Sequence, residues 1–104
     1  MSSKPVIISI PHRLGKDEAR RRLHAGFARA GDHFAALLTV DQQDWSGDRL
    51  AFRARALGQT AFGNIDVAET HVRVEVTLPW LLGMLAEKLA PAIRKETVLM
   101  LEKK

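Results

Sequence analysis

The chain of 104 residues has no cysteine. That excludes a disulfide scaffold, a zinc site built on thiolates and a thiol nucleophile, and it suits a reducing cytosol. Long apolar runs are also missing. The longest uncharged apolar stretch, residues 78–86, falls far short of the roughly 20 residues that a membrane-spanning helix needs. The opening MSSKPVIISIPHRLGK has one early lysine but no long apolar region and no small-residue cleavage site, so no signal peptide is expected. Aromatic residues make up only 6%, few for stacking on exposed bases, and no RNA-binding module signature occurs. There is no Gly-rich phosphate loop, and Ser46 does not sit in a nucleophile elbow.

What is present fits one globular domain spanning residues 1–104, with 1–5 as a flexible tail. The chain is 46% hydrophobic and 27% charged, an ordinary soluble composition. The net charge of +4 is uneven. Residues 1–35 hold seven basic and three acidic groups, and the remainder is balanced. Arg13, Lys16, Arg20, Arg21 and Arg22 therefore form a candidate basic face, able to attract nucleic acid, an anionic headgroup or an acidic partner. The competing reading is a solvated helix face.

Periodicity gives the element order. Val6, Ile7, Ile8 and Ile10 form a β-branched run that should end, or lie at an edge, at Pro11. A helix is expected over about residues 16–34, with Asp17 and Glu18 in its first turn. Its apolar face is Ala19, Leu23, Phe27, Ala30 and Phe34, with Gly26 permitting close packing and Gly31 marking a weakened last turn. Leu37-Leu38-Thr39-Val40 reads as a second strand, followed by turn chemistry at residues 44–48. The third strand alternates Leu50, Phe52, Ala54 and Ala56 against Arg49, Arg53 and Arg55. After a turn at Gly58-Gln59, a fourth strand points Ala61, Gly63, Ile65 and Val67 one way, and Phe62, Asn64 and Asp66 the other. The fifth points Val72, Val74, Val76 and Leu78 inward. Outward Arg53, Arg55, Arg73 and Glu75 could pair across strands. Pro79 then opens a long helix to about residue 102, with Pro91 expected to kink or interrupt it.

The order β-α-β-β-β-β-α is an α+β, two-layer architecture with an antiparallel sheet. It resembles a reduced helix-grip (START-like) fold, in which a long C-terminal helix lies across the sheet. This is a likeness of fold and assigns no function.

Catalytic chemistry is not visible. His12, His24, His33 and His71 lack metal-ligand spacing, and Asp41, Asp44 and Asp48 lack the pattern of a calcium loop. No catalytic, cofactor-binding or metal-binding residue is therefore assigned, and the protein is expected not to be an enzyme. One feature exceeds a simple core stripe. Leu78-Pro79-Trp80-Leu81-Leu82-Gly83-Met84-Leu85 is apolar around much of a helical circumference, so Trp80, Leu81 and Met84 are a candidate apolar binding face. Either the sheet absorbs it all, or it meets a lipid-like ligand, a hydrophobic polymer or a second copy of the chain.

Five segments in order resemble the polyhydroxyalkanoic acid system family of small bacterial proteins. They are Ile10-Pro11-His12-Arg13-Leu14-Gly15, Gly47-Asp48-Arg49-Leu50-Ala51-Phe52, Ala56-Leu57-Gly58-Gln59, Gly63-Asn64-Ile65-Asp66-Val67 and Leu78-Pro79-Trp80-Leu81-Leu82. The resemblance covers nearly the whole chain and carries no established catalytic or binding residue. It implies association with polyester storage granules. Together with the surplus apolar surface and the lack of a catalytic constellation, the expectation is a cytoplasmic, non-enzymatic protein that binds an apolar acyl or lipid-like ligand or the granule surface. The alternatives are a homodimeric interaction module joined along the C-terminal helix and an RNA- or ribosome-associated module using the basic face.

Overall fold

The structure is a computed structural model and describes residues 4–30 and 39–102. The elements are β1 (Lys4–Pro11), α1 (Lys16–Ala30), β2 (Thr39–Ser46), β3 (Arg49–Ala56), β4 (Gln59–Val67), β5 (His71–Leu78), a 3-10 segment (Trp80–Leu85) and α2 (Ala86–Glu102). All strand pairings are antiparallel, in the order β1-β5-β4-β3-β2. The expected α+β layout with a long C-terminal helix is therefore present. β1 starts at Lys4, paired with Leu78, so the strand takes in two residues of the expected tail. It ends at Pro11 on a sheet edge, where a residue without an N–H is tolerated.

One face of the sheet is apolar and covered. The alternation in β3, β4 and β5 buries Leu50, Phe52, Ala54, Ala56, Ala61, Ile65, Val67, Val72, Val74, Val76 and Leu78. Ala19, Leu23 and Phe27 of α1 and Leu89, Ile93, Met100 and Leu101 of α2 complete this core. Each large side chain buried this way contributes on the order of 1.5–3 kcal/mol. α2 lies against the β1 edge and against α1, while α1 reaches β4. Gly26 is where the two helices meet, because a Cβ there would run into the Met100 side chain. Thr97 is buried but satisfied, its hydroxyl donating to the Ile93 carbonyl at 2.8 Å.

Four local expectations are corrected. Asp44, Trp45 and Ser46 belong to β2, and the turn is only Gly47-Asp48. The next turn is Leu57-Gly58, with Gln59 already in β4. The C-terminal helix is divided, but at Leu85/Ala86 rather than at Pro91. Pro91 sits early in α2, where its missing N–H forfeits only one bond, to the carbonyl of Glu87, and the helix runs on. Arg73 pairs with Glu75 along one strand at 3.4 Å, whereas Arg53 and Arg55 both reach Asp41 on the neighbouring β2. The expectations on Gly31, His33, Phe34, Leu37 and Leu38 fall outside the described residues.

Candidate functional site

The basic face was expected at Arg13, Lys16, Arg20, Arg21 and Arg22. The fold takes four of these into ion pairs. Lys16 and Arg20 converge on Asp48 in the β2–β3 turn, at 3.2 and 3.1 Å, and Arg20 also lies 3.7 Å from Asp17. Arg21 and Arg22 both hold Glu18, each at 2.6 Å. These two guanidinium donors pull the Glu18 carboxyl down to about 2 from its usual 4.5. Arg22 also donates to the Leu101 carbonyl at 2.7 Å, satisfying an end group of α2 that has no partner within its helix. The cations therefore fasten α1 to the β2–β3 turn and to α2. Arg13 is exposed and makes no ion pair among the described residues.

Among the described residues, two grooves border α1. One, of about 420 Å³, lies between α1 and the β2–β3 turn and is lined by Arg20, Arg21, His24 and Trp45. The imidazole of His24 and the indole of Trp45 stand 5.6 Å apart in a tilted pair. Sequence reasoning missed this groove because Trp45 was placed in a turn. The second, about 250 Å³, lies where Pro11, His12, Arg13 and Leu14 face Val98 and Leu101.

The apolar candidate lies elsewhere. β5 ends at Leu78, and extended Pro79 (φ −61°) leads into the 3-10 segment. The N–H of Ala86 returns to the Gly83 carbonyl where the tight turns relax into α2. Within this stretch Leu85 packs against the core, whereas Met84 is 83% exposed. The side chains of Trp80 and Leu81 fall outside the described set. Met84 therefore stands out into solvent from a stretch without a charged residue. A methionine there presents a flexible, polarisable apolar group able to fit an irregular partner.

The uncovered sheet face is different in character. Ion pairs run across it, Arg49–Asp66 at 2.6 Å and Arg53–Asp41 at 2.9 Å among them. Arg53 and Arg55 hold the Asp41 carboxyl below its ordinary range. Phe62 and Ile7 are exposed among these charges. Among the described residues there is no cluster of three or more His, Asp or Glu side chains fit to hold a metal ion.

A family model for polyhydroxyalkanoic acid system proteins matches residues 6–100. The chain belongs to this family. The family's description names the polyhydroxyalkanoic acid system. No curated protein matches the chain, and no solved structure matches it either, so the helix-grip likeness rests on element order alone. Among the described residues, no helix of this family member is long and apolar enough to cross a membrane.

Proposed function

We propose that this member of the polyhydroxyalkanoic acid system family is a non-enzymatic protein that engages the apolar polyester surface of the storage granule. The contact is made through Trp80, Leu81 and Met84. The observation that carries this reading is the exposure of Met84 in the middle of an uncharged apolar stretch. Moving one such side chain from water into an apolar phase contributes roughly 1.5–3 kcal/mol, enough for one group to change partitioning by an order of magnitude or more. The family's description supports polyester as the partner. An extended surface is favoured over a single acyl ligand because Met84, 83% exposed, stands out into solvent. The basic residues have a separate task in this reading, holding α1 in place through Asp48 and Glu18.

Co-sedimentation with native granules tests the reading. The wild-type protein is expected in the granule pellet, and Trp80→Ala/Met84→Ala in the supernatant with an unchanged circular dichroism spectrum. Equal recovery of the folded double variant in the pellet contradicts it.

A further inference from the structure

We infer that the tip of the β3–β4 hairpin is a second anchor for the same polyester surface, with Leu57 as the inserted side chain. This inference rests on the reading above and adds a site to it.

The first observation is conformational. Leu57 has φ +51° and Gly58 has φ +78°. Two central residues with positive φ are the signature of the tight hairpin turn in which asparagine, aspartate and glycine are the usual occupants. A leucine there brings its Cβ against the backbone, a cost that glycine avoids and asparagine tolerates. Leu57 is nonetheless 69% exposed, so packing within the chain offsets little of that cost. A strained apolar side chain held out in water points to a contact outside the chain.

The second observation is placement. Lys4 pairs with Leu78, and β5 leaves the sheet there for Pro79 and the 3-10 segment. Phe62 pairs with Thr77, so the part of β4 before residue 61 runs past Leu78. The turn at residues 57–58 thus projects beyond the end of β5 by three or four residues, about 10 Å at strand rise. Met84 lies in the segment that begins at this end. Among the described residues, Leu57 at the turn and Met84 in the segment that follows Leu78 are thus large exposed apolar side chains toward the same end of the sheet. The opposite end carries the polar turns Gly47-Asp48 and Glu69-Thr70.

The shape of the tip argues for the occupant. A projecting hairpin turn with an apolar residue at its apex suits insertion into a deformable apolar phase, and the polyester taken as partner in the reading above is such a phase.

The test uses the full chain and lipid-free amorphous poly(3-hydroxybutyrate) particles as probe. Leu57→Asn preserves the turn geometry and removes the apolar group. Its expected behaviour is at least threefold weaker binding, with a thermal midpoint equal to or above wild type. Leu57→Met is expected to bind like wild type. If Leu57→Asn binds the particles as wild type does while Met84→Asp does not, the second anchor is overturned and the reading of the 80–85 segment stands. If wild type fails to bind at all, that reading fails and this inference with it. A lowered midpoint for Leu57→Asn would assign Leu57 a structural role and overturn the anchor. So would binding that appears only on phospholipid vesicles, or Leu57-dependent self-association.

Discussion

The ring of Phe52 on β3 lies over Gly63, its cross-strand partner on β4. A Cβ at position 63 would overlap that ring, so the glycine makes room for the largest side chain on the inner face of β3. Phe52 in turn meets Phe27 of α1, with ring centroids 6.4 Å apart. Gly63→Ala is therefore expected to destabilise the fold by about 1–3 kcal/mol, as overpacking does. Urea denaturation checks this. In the Phe52→Leu background the same substitution should cost less, because a smaller side chain frees the space.

Glu18 predicts an acid-labile fastening. Its carboxyl titrates near 4.5 when unpaired and near 2 in the fold, where Arg21 and Arg22 donate to it. A depressed carboxyl contributes stability in full above the unfolded value and loses it as pH falls through the folded one. Stability should therefore decline from about pH 4.5 towards pH 2, and Glu18→Gln should flatten that part of the profile. Denaturant midpoints between pH 6 and pH 2.5, at low and high salt, measure it. Salt should weaken the effect, since the pair is partly exposed.

His12 ties two turns together. The amide of Leu14 can only donate, so Nδ1 of His12 accepts it, at 3.2 Å. Nε2 then carries the proton and donates to the Ala68 carbonyl at 3.0 Å, while the His12 amide donates to Thr70 at 2.9 Å. His12→Ala removes both side-chain bonds and is expected to cost about 1–3 kcal/mol. The amide of Leu14 should exchange with solvent faster in this variant, as read by hydrogen–deuterium exchange.

Much of the fold is written in the sequence because β3, β4 and β5 alternate strictly between buried and exposed residues. Where a strand has only one covered neighbour, that signal fades. β2 is an edge strand with Val40 as its one fully buried residue and a register shift between Val40 and Gln42. Asp44 and Ser46 then look like a turn, and Trp45 is misplaced with them. The basic residues were legible as a cluster but not as partners. Arg20 meets Asp48 across 28 positions, a pairing that only the folded hairpin creates. Met84 could be named from its apolar neighbours, whereas Leu57 could not, because a residue's type does not disclose its φ. The one available hint was a leucine directly before glycine in a two-residue turn.

The absence of cysteine gives the most direct test of the granule reading. A single thiol introduced by Met84→Cys can carry an environment-sensitive fluorophore, with Thr70→Cys at the opposite end of the sheet as reference. On addition of native granules the label at position 84 is predicted to shift to the blue as it enters the polymer, while the label at position 70 keeps its aqueous emission. Unchanged emission at position 84, or equal shifts at both positions, would contradict binding through the 80–85 segment.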